Sequence, residues 1–536
     1  MSTFRTTAAR TKPAKRESPS APSPEPLPQL EGWQRWRSLV LILLGGQLPY
    51  LAFVGFGFWP LAFVAFVPFL FVLEWERERR PRMLLGLAWI HGAIQHAGGY
   101  YWLVDMLQNF SGFGSLANIG ISSVFWFFQG GQMVVFAWLY TRARSRGWAV
   151  FPVAVAGFCA TELFYPFLFP AFVGNSFVEL TALIQIVDLG GPVLLTGLYI
   201  AANVAVYELL VALLSRTRLP RTSPAIAVGA IALSLLYGVY RIDEVEGRMS
   251  AAPKITVGMV QANMGIFAKR SDPREGHRRH VEDTLRLERE VNPDLVVWPE
   301  SAFAYFVPAS RGNLQRFVTG RIRTPLLFGG LARRDRKSFN TAFLVDGEGD
   351  VIATYDKTFL LAFGEYLPFG DTFPILYEWS PNSGRFSPGT HQKPMPFEDY
   401  RISTLICYED VLPGFTRAAV QEADPHLLVN ITNDAWFGDT HEPWIHLALA
   451  RFRAVEHHRY LVRSTNSGVS AIIDPLGRVT AVSGTFTREV LSGEVAMLEE
   501  GTLFETLGSW PGWIALVSIV VFAIRRRGAL RRREKA

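Results

Sequence analysis

Apolar residues are concentrated in the first half of the chain, where long apolar runs alternate with short polar loops. A helix needs roughly 20 predominantly apolar residues to cross a bilayer. Candidate spans lie near 38–56, 58–74, 83–104, 114–140, 150–170, 187–214, 223–241 and 510–524. The pattern predicts a polytopic α-helical membrane domain of about seven helices over 36–245 and a C-terminal transmembrane helix over 508–526. The first two runs are closely spaced and also fit a re-entrant hairpin.

The pattern changes over 250–505, where short apolar runs alternate with charged, helix-like segments. Strands are predicted at KITVGMVQAN, DLVVWPE, TPLLFGG, TAFLVDG, DVIATYDK, RISTLICYED and HLLVNITND. EGHRRHVEDTLRLEREV and HLALARFRAVEHHRYLV are predicted helices, and VSAIIDPLGRVTAVS is a predicted hairpin. Strands that alternate with helices are typical of an α/β layered domain. Such a domain would be inserted between the seventh and eighth spans.

Basic residues mark one side of the predicted membrane domain. They lie in the N-terminal tail, in the loops EWERERRPR, TRARSRG and SRTRLPRT, and in the C-terminal tail RRRGALRRREK, whereas the alternate loops GFGFW and DMLQNFSGFG contain no Lys or Arg. The positive-inside rule assigns the basic side to the cytoplasm. Both termini are then cytoplasmic, with a Pro- and Ser-rich disordered tail over 1–35 and a basic tail over 527–536, and the domain over 250–505 is exported.

The formal net charge of +6 is explained by these loops. Their Lys and Arg would face anionic lipid headgroups, so the composition favours a membrane partner and gives no support to nucleic-acid binding.

The chain has two cysteines, and they differ in context. Cys159 lies within the apolar run VAVAGFCATELF, where free cysteine usually packs as a small hydrophobe. Cys407 follows the predicted strand RISTLI in an exported domain, a location where disulfides are common, yet it has no cysteine partner in that domain. A functional thiol and a buried structural one both remain open at this point.

Three predicted strands end in groups that suit acyl transfer through a thiol: Glu300, Lys357 and Cys407. A thiol needs a base to become a good nucleophile, and a carboxylate can take and return its proton. An ammonium group, together with the backbone N–H after the nucleophile, can stabilise an oxyanion. Each residue alone would be read as a surface charge or a packed thiol. No histidine occupies a comparable strand end, which argues against a Cys–His pair.

Other ionisable groups carry weaker signals. His441, His446 and the pair at 457–458 lack the H-E-x-x-H spacing of metalloproteases, so no metal site is expected. Glu162 and Asp188 lie at or near membrane depth, where a functional role and an interfacial position both remain open.

The segments WPES, YDK and CYED occur in the order and context of the Glu-Lys-Cys triad of the nitrilase superfamily, which they resemble. TFLLAFGEYLPF, VNITNDAWFG and ARFRAVEHHRYLVRSTNSGVSAIIDPLGR are similar to the corresponding segments of its membrane branch, the apolipoprotein N-acyltransferases. The resemblance implies a membrane domain with an inserted α/β nitrilase-like domain, an α-β-β-α sandwich.

The resemblance also implies the reaction and its partners. A fatty acyl group would pass from a membrane phospholipid to Cys407, and then to the α-amine of the diacylglyceryl-cysteine of a lipoprotein. The expected location is the bacterial inner membrane, with a periplasmic catalytic domain, a monomeric enzyme and no cofactor. Glu300 would be the general base, Lys357 the oxyanion stabiliser and Cys407 the nucleophile.

Three further residues match supporting positions of the family: Glu365, Tyr408 and Glu409. Glu365 would orient either Lys357 or Glu300. The loops 359–370 and 378–392 are predicted lids over the site.

Two other readings are weighed against this one. A membrane-tethered nitrilase-type amidase would use the same triad with water as the acceptor. A non-catalytic membrane scaffold, or a transporter, would not require the complete triad that the sequence retains.

Overall fold

The structure, a computed structural model, describes residues 36–111, 113–265, 271–308, 311–380 and 383–526. The predicted tails at 1–35 and 527–536 lie outside the described residues.

The first half of the described chain is helical. Its α-helices are α1 Arg37–Gly45, α2 Leu48–Ala52, α3 Val67–Glu76, α4 Pro81–Gly99, α5 Leu103–Ser111, α6 Ser115–Arg144, α7 Val150–Phe164, α8 Thr181–Ile184, α9 Val187–Gly190, α10 Val193–Leu214 and α11 Thr222–Ala251. Short 3₁₀ helices lie at Trp59–Phe63 and Val173–Phe177.

Four helical segments of the described residues are long and apolar enough to cross a membrane. They are Trp59–Glu76, α6, α10 and α11. The first predicted span is occupied by the short helices α1 and α2, and a turn at 53–58 leads from them into the next segment. The seventh span is longer than expected, because α11 continues beyond residue 241 almost to the first strand of the following domain.

The inserted domain contains thirteen described strands: β1 Lys254–Gln261, β2 Leu295–Val297, β3 Phe303–Pro308, β4 Leu326–Arg334, β5 Lys337–Val345, β6 Val351–Asp356, β7 Met395–Phe397, β8 Tyr400–Ile406, β9 Leu427–Thr432, β10 Tyr460–Thr465, β11 Ala471–Ile473, β12 Val479–Val482 and β13 Glu489–Ala496. The first sheet has the order β13-β1-β2-β4-β5-β6, with β3 also paired to β4. The second has the order β12-β11-β10-β9-β8-β7. Strands β8, β9 and β10 are parallel, and β11 and β12 form the predicted hairpin.

The remaining helices are α12 Pro273–Glu290, α13 Ile375–Trp379, α14 Pro413–Ala423, α15 Glu442–His457, α16 Leu503–Leu507 and α17 Trp510–Ile524. A 3₁₀ helix at Cys407–Val411, another at Asp434–Phe437 and a π-helical turn at Gln315–Thr319 complete the elements.

Helix starts follow local sequence signals. Pro273, Pro413 and Pro443 occupy the first turns of α12, α14 and α15. N–H groups in the first turn of a helix make no intrahelical hydrogen bond, so proline, which lacks an N–H, is tolerated there. Asp272 caps α12, since its side chain accepts a hydrogen bond from the Glu275 N–H at 3.1 Å.

The inserted domain is a four-layered sandwich. One apolar core lies between the two sheets and contains residues such as Val257, Leu344 and Ile431. A second joins the first sheet to α12 through Leu287, and a third joins the second sheet to α14 and α15. The α-β-β-α arrangement beside an apolar helical domain confirms the predicted fold class.

Helix α15 connects the inserted domain to the membrane domain. Leu447 and Ala450 pack in the core of the second sheet, whereas Ile445, Leu449 and Phe452 belong to the apolar core of the membrane helices. Phe452 is fully buried, and removal of such a side chain costs about 3–5 kcal/mol. The inserted domain is therefore held against the membrane helices by this helix.

Candidate active site

Three strand ends meet where the two sheets face each other. Glu300 follows β2, Lys357 directly follows β6, and Cys407 directly follows β8. All three side chains are buried, with Lys357 only 1% exposed. The structure thus brings together the three residues that the sequence singled out, from strands of both sheets.

Glycine allows one of these close approaches. A Cβ atom at Gly329 of β4 would lie 2.6 Å from the Glu300 Cα, closer than side chains come to backbone. The bare backbone at Gly329 therefore lets the Glu300 turn pack directly on the sheet.

Lys357 is held between two carboxylates. Its Nζ lies 2.8 Å from Glu365 Oε2 and 3.5 Å from Glu300 Oε1. Burial disfavours the ammonium form, but the Glu365 and Glu300 carboxylates outweigh burial and raise the pKa of Lys357 well above its usual value. Lys357 is consequently a fixed positive charge, and Glu365 contacts it directly.

Asn340 is a site residue that the sequence reading did not identify. Its Nδ2 donates to Glu300 Oε1 at 2.6 Å and to Glu365 Oε1 at 2.8 Å. Its backbone carbonyl oxygen accepts a hydrogen bond from the Lys357 backbone N–H at 2.8 Å. Glu365 therefore contacts both residues that it was expected to orient. It forms an ion pair with Lys357, and it is linked to Glu300 through the Asn340 side-chain amide. Asn340 lies on β5 just before the apolar segment of that strand, so only the pairing of β5 with β6 reveals its role.

Cys407 occupies a strained turn. Its φ of 54° places a non-glycine residue in the left-handed region, which costs about 1–2 kcal/mol. Such outliers cluster at functional sites, because the surrounding structure must hold them in place. Burial and the Glu300 carboxylate raise the pKa of the Cys407 thiol well above its usual value, against the opposing effects of Lys357 and a hydrogen bond with Thr432. The resting thiol is protonated and needs a base.

Glu409 holds this turn in place. Its Oε2 accepts from the Ile406 N–H at 2.8 Å, and its Oε1 accepts from the Tyr355 hydroxyl at 2.8 Å and from the N–H groups of Thr358 and Phe359 at 2.8 and 2.9 Å. Burial raises the pKa of Glu409 to about 7 despite these donors. One carboxyl group thus ties the Cys407 turn to the segment that follows Lys357.

Tyr408 points away from the triad, toward the membrane domain. Its hydroxyl donates to the Leu168 carbonyl at 2.6 Å, and its ring makes an edge contact with Phe169 at 5.4 Å between centroids. Both partners belong to the connection that follows α7. Tyr408 therefore fixes the Cys407 turn against the membrane domain.

A buried ionic cluster lies behind Cys407. Arg463 donates to Asp410 Oδ2 at 2.8 Å and to Asp434 Oδ2 at 3.0 Å. The His446 ring contacts the same two carboxylates, at 2.7 Å from Asp410 and 3.2 Å from Asp434. Burial favours neutral forms, but the opposite charges prevail, lowering the pKa of Asp434 to about 2 and raising that of His446 to about 10. Two anions are balanced by two cations.

The same region gathers three potential metal ligands. Ligand atoms of Asp434, Glu442 and His446 lie within 4.8 Å of one another. Arg463 and the second nitrogen of His446 already supply the charge that Asp434 and Asp410 require. Asp434 and His446 therefore belong to the ionic cluster, Glu442 lies beside it, and we assign no metal to the three residues.

An apolar cavity opens beside Cys407 and is built by both domains. The membrane domain contributes Tyr100, Trp102, Phe169 and Pro170, and the inserted domain contributes Leu361, Cys407, Tyr408, Val411, Phe437, Glu442, Ile445, His446 and Leu449. The walls are mostly apolar and suit contact with alkyl groups, but the cavity as it stands has a volume of about 40 Å³, less than a long alkyl chain occupies.

The loops predicted as lids contact each other next to the site. The Gly384 and Phe386 N–H groups donate to the carbonyls of Gly364 and Glu365, at 2.7 and 3.0 Å. Phe369 is 76% exposed at the tip of the first loop. Their motion stays a prediction.

The other sequence candidates lie elsewhere. Cys159 is buried among membrane helices, with its Sγ 3.8 Å from the Val193 carbonyl oxygen. Glu162 accepts from the Val173 N–H at 2.7 Å and so anchors the segment after α7. Asp188 pairs with Arg241 at 3.0 Å, a contact within the membrane domain near its junction with α15.

Comparison with known proteins identifies both halves of the chain. Residues 256–501 match the family model "Carbon-nitrogen hydrolase", and residues 45–205 match "Apolipoprotein N-acyltransferase N-terminal domain". Yeast Nit3, a nitrilase-superfamily structure from Saccharomyces cerevisiae, is 19% identical and covers 45% of this chain and 90% of its own, with a TM-score of 0.36. The fold assignment rests on the family model and the sheets, not on that likeness.

Two relatives named apolipoprotein N-acyltransferase match almost the whole chain. The Geobacter metallireducens protein is 31% identical over 507 residues, which is 91% of this chain and 95% of the relative. The Pseudomonas syringae pv. tomato protein is 30% identical over 518 residues, which is 91% of this chain and 96% of the relative. These matches confirm the resemblance found in the sequence and do not favour the amidase or scaffold readings. The chain belongs to the apolipoprotein N-acyltransferase family and is a bacterial membrane acyltransferase.

Proposed function

We propose that Cys407 carries a fatty acyl group from a membrane phospholipid to the α-amine of the N-terminal diacylglyceryl-cysteine of lipoproteins. The observation that supports this most is the convergence of Glu300, Lys357 and Cys407 beside an apolar cavity built by both domains. The apolar walls suit the alkyl chains of both lipid substrates.

In the first half-reaction, Glu300 takes the proton of the neutral Cys407 thiol as Sγ attacks the phospholipid ester carbonyl. The oxyanion that forms is stabilised by the Lys357 ammonium group and the Tyr408 backbone N–H. When the intermediate collapses, the C–O bond breaks and Glu300 returns the proton to the lysophospholipid oxygen. A thioester on Cys407 remains.

In the second half-reaction, the lipoprotein amine attacks the thioester carbonyl, and Glu300 accepts a proton from the amine. The C–S bond then breaks, an amide forms, and the thiol is regenerated with that proton. Glu365, Asn340 and Glu409 act as positioning residues, because each reaches the reacting groups only through another residue.

Intact-protein mass spectrometry after incubation with phospholipid alone tests this proposal, with Cys407→Ser as the comparison. The expected result is a fatty-acyl adduct on the wild type only, which a diacylated lipopeptide discharges. An adduct discharged only by water would indicate an amidase-like hydrolase. No adduct with any phospholipid would overturn the thioester route.

The same proposal includes the location. The basic loops support a topology with both termini in the cytoplasm and the catalytic domain in the periplasm at the inner membrane, and we propose a monomer. Trypsin added to intact spheroplasts should cleave the domain over 250–505. Protection of that domain until the membrane is permeabilised would reverse the orientation, and chemical crosslinking to a dimer in the membrane would contradict the monomer.

A further inference from the structure

Glu442, the first residue of α15, lines the same cavity as Cys407 but has no place in the proposed chemistry. The residue is only 7% exposed. Its Oε2 atom is buried without a hydrogen-bond partner among the described residues. His446 Nδ1 lies 3.7 Å from its Oε1, which is beyond hydrogen-bond range. Glu442 is thus an unpartnered polar group in an otherwise mostly apolar wall.

The surroundings of Glu442 decide its protonation state. The anions Asp410 and Asp434 are already neutralised by Arg463 and His446, so an ionised Glu442 would be a third, unbalanced negative charge. Burial, together with Asp434, raises the pKa of Glu442 well above its usual value. A protonated carboxyl group keeps one O–H donor.

A glycerolipid brings the matching acceptor into this cavity. Its alkyl chains suit the apolar walls, and its ester carbonyls accept hydrogen bonds but donate none. We propose that the Glu442 carboxyl group donates a hydrogen bond to a non-reacting ester carbonyl of the glycerolipid bound at Cys407, and so is a substrate-binding residue. This inference rests on the proposed function of the site. It accounts for a buried polar atom that would otherwise remain unsatisfied.

Two lipids carry such an ester: the phospholipid donor and the diacylglyceryl group of the acceptor. The two half-reactions separate them. Acyl-enzyme formation is measured with phosphatidylethanolamine and phosphatidylglycerol in mixed micelles, and discharge is measured with a synthetic diacylated lipopeptide. Glu442→Leu removes the donor, whereas Glu442→Gln keeps a neutral donor of similar size. Glu179→Gln is the matched control, since Glu179 is an exposed partner of Arg451 outside this cavity.

Loss of one neutral hydrogen bond should raise the lipid concentration for half-maximal rate about tenfold. We expect this rise for Glu442→Leu, with Glu442→Gln and Glu179→Gln close to wild type. A rise confined to acyl-enzyme formation identifies the phospholipid as the ligand, and a rise confined to discharge identifies the acceptor. A folded Glu442→Leu enzyme that matches the wild type in both steps overturns the inference.

A second measurement does not depend on how the variant folds. The wild-type enzyme is tested with a phospholipid, or a lipopeptide, whose non-reacting ester is replaced by an ether. We expect the ether lipid to require an about tenfold higher concentration than the ester lipid for half-maximal rate in one half-reaction. Equal concentrations for the two lipids in both half-reactions would contradict the proposal. If the wild type forms no acyl-enzyme at all, the proposed function fails; if it does and these comparisons show no difference, only the role of Glu442 fails.

Discussion

Glu365→Gln tests whether the Lys357 charge is positioned by Glu365. The substitution keeps the size of the side chain and removes the charge that lies 2.8 Å from Lys357 Nζ. Lys357 then has one carboxylate left, Glu300, at 3.5 Å. We expect Nζ to move toward Glu300, which both displaces the oxyanion stabiliser and holds the base in its ionised, hydrogen-bonded form.

The structure sets the size of the effect. Removal of one partner of a buried ion pair costs about 3–5 kcal/mol. Because Lys357 keeps Glu300 as a partner, we expect the lower end, about 3 kcal/mol. A loss of that size lowers the melting temperature by roughly 6–12 °C for a domain of this size. A displacement of about 1 Å at a reacting group can lower the rate about a hundredfold.

The assay is the rate of acyl-enzyme formation by intact mass spectrometry, with thermal unfolding in parallel. Glu348→Gln is the matched control, because Glu348 is an exposed carboxylate in the turn between β5 and β6. A Glu365→Gln enzyme that acylates at the wild-type rate would refute the reasoning. A normal melting temperature with a slow rate would show that Glu365 acts on geometry without contributing to stability.

Three further predictions follow from the contacts around the site. Asn340→Ala should slow acyl-enzyme formation about tenfold through loss of the donor shared by Glu300 and Glu365. Asn340→Asp should slow it more, because it adds a third carboxylate, and an Asn340→Asp enzyme that is faster than Asn340→Ala would contradict this. Cys159→Ser should keep most of the turnover, because Cys159 packs among membrane helices, and a folded but inactive variant would reverse the assignment of the two thiols. The raised pKa of His446, about 10 in the fold against about 6.5 unfolded, contributes stability that is complete below pH 6.5 and lost as the pH rises toward 10. Over that pH range, the melting temperature should fall more steeply for the wild type than for His446→Gln. Parallel curves of melting temperature against pH would contradict this prediction.

The sequence predicted the triad because each member ends a strand with a clear apolar pattern. Glu300, Lys357 and Cys407 could be placed at strand ends from local information. Their complementary expected roles as base, oxyanion stabiliser and nucleophile predicted that they lie close together in the fold. Asn340 could not be found this way, because an asparagine in the middle of a strand run shows no local signal. Its importance comes from partners 25 and 40 residues away in the chain.

The ionic cluster escaped the sequence reading for a related reason. His446, Asp410 and Asp434 fall within predicted helix and strand-end segments and Arg463 directly follows one, and isolated charges are usually placed at the surface. In the fold all four are buried, and they pair across the 3₁₀ helix at Asp434–Phe437, β10, α15 and the 3₁₀ helix that begins at Cys407. Burial of charge depends on complete pairing, which only the tertiary structure can show.

The architecture of the cavity gives a physical reason for joining the two domains in one chain. The triad by itself does not distinguish an acyltransferase from an amidase, because both proceed through a thioester. Here Trp102 of the membrane domain packs edge-on against Phe437 of the inserted domain at 5.1 Å and against Phe169 at 5.8 Å. These contacts form an apolar wall beside Cys407, and we infer that this wall limits the access of water to a thioester formed there. An amine delivered on a lipid anchor enters where water is scarce, so preference for the amine follows from the membrane domain's contribution to the site.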